Sequence, residues 1–326
     1  MAVDLLSNVL GSIRLSGAMF LRGDYSAPWA LDSPESQDLS NLLAPEAERL
    51  ILFHIIRKGR AWVSAKTARV EAEAGDLVIL PHADRHLMGS LPDSPKPIPI
   101  ADLLPPTPWH GIPVCRFDGG GEETGVVCGY LTCDELIFNS FLKSLPPLMC
   151  IRPPSGSAAE LFNACVNFAL DENKEARMGR VPLSSRVPEM LLIEALRLYS
   201  STTDSTSGWL AAAKDPVLRR ALERVHGDPG KAWTVAELAS AAHASATVLT
   251  ERFNSILGKT PTRYLTELRM QLAADALART SNKIATIAES IGYGSEEAFS
   301  RAFKKHVGLA PASWRTKKMA PEHLHG

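Results

Sequence analysis

The chain has 326 residues, 45% of them hydrophobic, a length that predicts two domains with a core in each. The formal net charge of −1 hides an asymmetry: from Ala213 onward there are 17 Lys and Arg against 11 Asp and Glu, and before it 18 against 25, so the C-terminal part suits phosphate and the N-terminal part repels it. The five cysteines include no C-x-x-C pair and no apolar run is long enough to cross a bilayer, which excludes a disulfide framework, a zinc ribbon and a membrane span.

In chain order, Leu5, Leu6, Val9, Leu10 and Ile13 share one face of an amphipathic helix over Asp4–Ile13. This stretch has an acid at Asp4 and no small-residue cleavage site, so it does not read as a signal peptide, and the expected location is the cytoplasm. Short apolar or β-branched runs follow at Ala18–Arg22, Leu50–Arg57, Arg60–Ala65, Asp76–Leu80, Val114–Phe117 and Val126–Cys133, with Gly23, Gly59 and Gly75 as punctuation. Such a series predicts a β-sandwich or barrel. The proline-rich stretch Pro92–Pro108 and the run Gly119–Glu123 read as mobile loops inserted into it.

Leu161–Ala169 and Pro188–Leu198 carry helical periodicity and predict helices that pack on the barrel, against a second subunit, or both. The polar run Ser200–Gly208 reads as a linker, and Asp215-Pro216 opens the next helix.

The remainder contains a repeat. Val235-Ala-Glu-Leu238-Ala239 precedes Ser245 as Ile284-Ala-Thr-Ile287-Ala288 precedes Ser295. Phe253 and Phe303, Gly258 and Gly308, Pro261 and Pro311, and Tyr264 and Trp314 are each fifty positions apart. In each copy a short helix ends in a turn, with Gly292 in the second, and a serine caps a helix with a polar face. That is the description of a helix-turn-helix. Between the copies, Thr262–Arg279 predicts a connecting helix able to hold two reading heads at fixed separation.

Residues 216–316 resemble the DNA-binding domain of the AraC/XylS family of bacterial transcription regulators. The resemblance is carried by Trp233-Thr-Val-Ala-Glu-Leu-Ala, Arg269-Met270, Gly292-Tyr293-x-Ser295-Glu296-x-Ala298-Phe299-Ser300-Arg301-Ala302-Phe303-Lys304 and Gly308-x-x-Pro311-x-x-Trp314-Arg315. It implies base contacts from the early turns of each second helix: Ala246, Thr247, Thr250 and Glu251 in the first unit, and Glu296, Glu297, Ser300 and Arg301 in the second, with Lys304 beside them. Arginine is suited to a bidentate contact with guanine, and glutamate to accepting from cytosine N4. Glu296 and Glu297 also suit a purely structural role at a helix N-terminus. The first unit departs from the family pattern at His243, Ala246 and Glu251.

Residues 4–200 resemble the cupin-type ligand-binding domain found before such modules, on segments that include Gly75-Asp76-Leu77-Val78, Leu80-Pro81-His82, Cys128-Gly129 and Leu145-Pro146-Pro147-Leu148. Gly75-x5-Pro81-x-Ala83-x2-His86 resembles one of the two cupin motifs, with Ala83 where glycine is usual. The companion motif, which supplies two histidines and a glutamate, has no counterpart. Trp29, His54, Trp62, His82 and His86 are therefore candidates to line a small-molecule pocket, with no metal and no cofactor expected. Cys115, Cys128 and Cys133 read either as buried apolar residues or as a thiol switch.

The expected architecture is α+β in two domains: a cupin-like jelly-roll barrel with helices at 1–152, a helical dimerisation segment at 153–199, a linker at 200–212, and an all-α domain at 213–318 with two helix-turn-helix units joined by a helix. The expected function is sequence-specific transcription regulation by a homodimer that binds double-stranded DNA, responds to a small-molecule effector and has RNA polymerase as a candidate partner. A metal-dependent cupin enzyme with an accessory helical module and a thiol redox-sensing regulator are the alternatives.

Overall fold

The computed structural model describes Leu5 and residues 15–45, 47–92, 95–106, 109, 112–133, 140–172, 186–203 and 207–319. The chain divides into two compact units. One takes the described parts of Ile13–Phe138 and Leu145–Thr203; the other takes those of Met1–Ser12, Asn139–Ser144 and Asp204–Gly326.

The first unit contains β1 (Ser16–Ser26), β2 (Ala30–Ser33), α1 (Ser36–Leu43), β3 (Arg49–Lys58), β4 (Arg60–Ala65), β5 (Ala68–Glu73), β6 (Leu77–Leu80), β7 (His86–Gly89), β8 (Ile98–Pro99), β9 (Val114–Asp118) and β10 (Glu123–Cys133). After β10 the chain lends α2 (Ser140–Lys143) to the other unit, then returns as β11 (Met149–Ile151), α3 (Ser157–Glu172) and α4 (Val187–Thr202). The strands form a six-stranded sheet, β11-β6-β3-β10-β1-β9, and a five-stranded sheet, β5-β4-β7-β2-β8.

Strand alternation decides what each face buries. Leu50, Leu52 and Ile56 of β3, Leu21 of β1 and Val126 of β10 join one core with Leu31, Val63 and Met88 of the smaller sheet. The other face of β3 is apolar as well. Ile51 and Phe53 there, with Ile79 and Leu131, meet Pro188, Leu191 and Leu192 of α4. A sheet covered on both faces has continuous apolar strands, which is why β3 reads as an unbroken run. Arg152, just after β11, holds the buried Asp76 carboxylate by two hydrogen bonds of 3.0 and 2.8 Å and so ties β11 to the start of β6.

The second unit is helical: α5 (Gly208–Lys214), α6 (Pro216–Gly227), α7 (Val235–Ala241), α8 (Ala246–Leu257), α9 (Pro261–Arg279), α10 (Ile284–Ser290), α11 (Glu296–Val307) and α12 (Pro311–Met319). Asp215 caps α6, accepting from the Val217 and Leu218 amides, with Pro216 in the first helical position as expected. Thr234 and Glu237 close a reciprocal capping box at α7, worth about 1 kcal/mol.

Four expectations are corrected. Most of the segment 200–212 is not a linker, because α4 runs through Thr202 and α5 starts at Gly208. Trp209, Leu210, Ala211 and Ala212 are buried, so the apolar run after Gly208 has a core to join. Gly23 does not punctuate a strand: it lies within β1, and the Tyr25 ring covers the place where its Cβ would stand. The Gly119–Glu123 run is a braced turn, in which the Gly119 and Gly121 amides donate to the Ser26 and Ala27 carbonyls at 3.1 and 2.8 Å. Within the proline-rich stretch, β8 pairs in parallel with β2 and a 3-10 turn buries Ile100. The N-terminal helix over Asp4–Ile13 lies outside the described residues apart from Leu5, which is helical and buried.

Candidate nucleic-acid interface

The two copies in the helical unit share one framework. Phe253 of α8 and Phe303 of α11 are fully buried, each worth about 1.5–3 kcal/mol of burial. Phe253 meets Tyr264 edge-on at 5.9 Å and 70°, and Phe303 meets Trp314 at 6.3 Å and 72°. The recognition helices α8 and α11 begin alike: Ser245 accepts from the Val248 amide and Ser295 from the Ala298 amide, both at 3.2 Å. Both end on a left-handed glycine, Gly258 or Gly308.

The turns differ. In the second unit the Gly292 amide donates to Glu289 O at 3.0 Å and the Tyr293 amide to Ala288 O at 2.9 Å. This is a Schellman ending that needs positive φ at Gly292, observed at 83°. In the first unit His243 takes that place, with its amide on Ser240 O, the Ala244 amide on Ala239 O, and φ of 55°. The family's glycine position is therefore a real backbone requirement, which His243 meets against its steric preference. The second turn is one residue longer: Gly294 has no counterpart between Ala244 and Ser245.

The start of each recognition helix faces solvent. Ala246, Thr247, Val248 and Glu251 are exposed in the first, and Glu296, Glu297, Arg301 and Lys304 in the second, with Thr250 and Ser300 half-exposed. Val248 (38% exposed) was not among the sequence candidates. Its signal, an apolar side chain off the helix's buried stripe, was present in the spacing. Thr250 donates its hydroxyl to Ala246 O at 2.8 Å, leaving its oxygen as an acceptor and its methyl for apolar contact. Glu297 is held below its ordinary pKa by its own amide first, then by the Ser295 hydroxyl and by Arg301. It therefore serves the helix start in addition to any base contact.

The sensor candidates have different surroundings. His54, His86 and Cys128 form a buried chain: His86 Nδ1 lies 3.1 Å from Asp84 O, His86 Nε2 lies 2.8 Å from His54 Nε2, and His54 Nδ1 lies 3.0 Å from Cys128 Sγ. The protons follow from the acceptor at one end. A carbonyl only accepts, so His86 carries its proton on Nδ1, His54 donates from Nε2, and the Cys128 thiol donates to His54 Nδ1. Burial drives both imidazoles to the neutral form, with His86 pushed down to about 4. The two nitrogens of His54 engage different partners on opposite sides of the ring, so the trio does not converge on one ion. Among the described residues no group of three His, Cys, Asp or Glu side chains is placed to hold a metal.

Trp29 is fully buried in the same core beside Tyr25, with ring centroids 4.7 Å apart, and its Nε1 has no hydrogen-bond partner. Trp62 does not join them. Val63 faces the core, so strand alternation turns Trp62 to the other face, where Arg69 lies 4.3 Å over its ring. His82 donates to Leu145 O at 3.0 Å. Ala83 sits at φ 49°, which explains why the cupin motif prefers glycine there. Cys115, Cys128 and Cys133 are buried. Desolvation pushes the Cys115 thiol up to about 11 and the Cys128 thiol higher still, the reverse of what a reactive thiol needs.

Comparison with known proteins agrees with this geometry. Residues 4–201 match the family described as Cupin, and residues 238–317 match one described as Helix-turn-helix domain. A putative AraC-like transcription regulator of Streptomyces antibioticus is 36% identical over 84% of this chain and 89% of its own length. The HTH-type transcriptional regulator AlkR of Acinetobacter baylyi is 27% identical over 96% of this chain and 99% of its own. The RCS-specific HTH-type transcriptional activator RclR of Escherichia coli is 27% identical over 83% and 87%. Two paired sheets and a double helix-turn-helix thus define a DNA-binding regulator with a cupin domain. The chain belongs to the AraC-like transcription regulators.

Proposed function

We propose that the chain reads a two-part operator, with α11 as the stronger reader and α8 as the weaker one. The observation that carries this reading is the pair of matched frameworks with unlike faces. α11 presents Arg301 and Lys304 beyond a first turn that carries Glu296 and Glu297, whereas α8 presents Ala246, Thr247, Val248 and Glu251. The first face suits guanine and phosphate; the second suits thymine methyls and weak hydrogen bonds. Fluorescence anisotropy of the full chain on duplexes recovered by in vitro selection tests it, since one sharply specified and one relaxed segment are expected.

Control by a small molecule fits the cupin-type unit. Within it, the unpaired indole N–H of Trp29 is the group best suited to a hydrogen-bond acceptor on the effector, with His54 and His86 beside the same core. Native mass spectrometry of protein from the expression host tests whether a ligand is retained. Association into a homodimer is supported by Phe168 on α3 and Met190 on α4, which are 38% and 47% exposed. Under this reading the protein acts in the cytoplasm, through operator DNA and RNA polymerase, without catalysing a reaction. No described helix is long and apolar enough to cross a membrane.

A further inference from the structure

The connecting helix α9 carries Arg269, whose side chain leaves its own helix to bind the turn ahead of the first helix-turn-helix. Its Nε donates to Pro229 O at 2.7 Å, and its Nη2 donates to Lys231 O at 2.8 Å and to Gly230 O at 3.4 Å. A planar fork of fixed donors over three successive carbonyls is geometry that arginine supplies and lysine does not.

That turn is stiff. The Asp228 carboxylate accepts from the Lys231 amide at 3.1 Å, and the Trp233 indole donates to Asp228 O at 2.8 Å. The Lys231 ammonium lies 3.8 Å over the Trp233 ring. Thr234 follows at once and caps α7. Whatever fixes residues 229–231 therefore fixes the start of the first reading head.

The same turn touches the second head. A Cβ on Gly292 would stand 2.1 Å from Gly230 O and 2.7 Å from Arg269 Nη2, and a Cβ on Gly230 would stand 2.6 Å from Ser290 O. The backbone before α7 and the backbone after α10 are thus in direct contact, with the Arg269 guanidinium closing the joint. Tyr293, next to Gly292, packs edge-on against Phe299 of α11 at 5.7 Å, which carries the contact into the second recognition helix.

We propose that Arg269 is a positioning residue: it locks the two reading heads together and so sets which spacing between the two operator segments the protein accepts. The proposal rests on the two-headed reading above and adds a structural ruler to it. Adding one base pair between the segments shifts the second by about 3.4 Å and about a tenth of a turn. A locked joint does not follow that displacement, and a loosened one does.

The test uses the full chain and an operator recovered by in vitro selection with the wild-type protein. Anisotropy titrations compare the selected duplex, duplexes with one base pair added or removed between the segments, and a duplex with the α8 segment scrambled. Wild type is expected to lose roughly tenfold or more on each altered spacing, the size of a mismatched base pair in a specific site. Arg269→Gln, and separately Gly230→Ala, which leaves the arginine in place, are expected to lose less than about threefold on the same duplexes. Their affinity for the one-segment duplex should match wild type, which also reports that each variant is folded. Variants that keep the wild-type spacing penalty would overturn the proposal. So would variants that weaken the one-segment duplex as much as the full site, because Arg269 would then act inside one head. A wild-type protein indifferent to spacing would remove the two-headed reading itself, an outcome distinct from both.

Discussion

His54 and His86 stand with their Nε2 atoms 2.8 Å apart in the core of the sensor unit, and one proton serves both. Burial lowers both pKa values, His86 to about 4, while an unfolded histidine titrates near 6.5. The unfolded chain therefore binds more protons between those values, and stability is lost as pH falls through that window. Above about pH 6.5 the contribution is complete; below it each histidine costs up to about 1.4 kcal/mol per pH unit. Denaturation followed from pH 7.5 to 5 should show this slope in the sensor transition, and His86→Gln should flatten it. His226, in the helical unit, is also pushed down to about 4 by burial and should give that transition a slope of the same sign.

The two turns should respond unequally to substitution. His243→Gly relieves a left-handed residue but gives the unfolded chain more freedom, so the change should stay within about 1 kcal/mol of wild type. Gly292→Ala meets both a φ of 83° and a carbonyl 2.1 Å from the new Cβ, and should cost more than about 2 kcal/mol. Urea titrations of the two variants would show the contrast.

Much of this was legible in the sequence because local chemistry fixes it. Ser245 and Ser295 as caps, Gly292 as a helix end and Asp215-Pro216 as a start all depend on neighbours within a few residues. β4 matches its expected bounds, since Arg60–Ala65 is delimited by Gly59 on one side and the Lys66–Thr67 turn on the other. What was not legible depends on partners distant in the chain. β2, β7 and β11 are three or four residues long and exist through pairing. Trp62 was read as pocket lining because nothing local shows which face of β4 is inside. The His54–His86–Cys128 chain joins positions 32 and 74 residues apart. Arg269 stood in the family signature, but its three carbonyl partners lie about forty residues earlier.

The position of α5 revises where the DNA-binding fragment begins. The Trp209 indole donates to Tyr264 Oη at 3.0 Å, and His226 Nε2 lies 2.8 Å from the same oxygen. A fragment of 207–319 should therefore be more stable than one of 213–319, and Trp209→Ala should cost about 3–5 kcal/mol, as large aromatic truncations do. Thermal denaturation of both fragments checks this.

The reading heads differ in charge, and variants should separate them. Arg301→Ala should cost about 1–3 kcal/mol on the selected site and relax preference at one base pair. Thr250→Ala should cost distinctly less. Glu251→Arg should tighten binding to all sequences and steepen its salt dependence, because a repulsive charge becomes a phosphate partner. Anisotropy at two salt concentrations, on selected and scrambled duplexes, measures all three.

Hydroxyl-radical footprinting of the full chain on a duplex recovered by in vitro selection tests the central claim most directly. Two heads locked on one connecting helix should protect two segments on one face of the duplex, centred about one helical turn, or 10–10.5 base pairs, apart. The segment lost on Arg301→Ala should be the more sharply specified one. A single protected segment, or selection that enriches no sequence, would contradict the account.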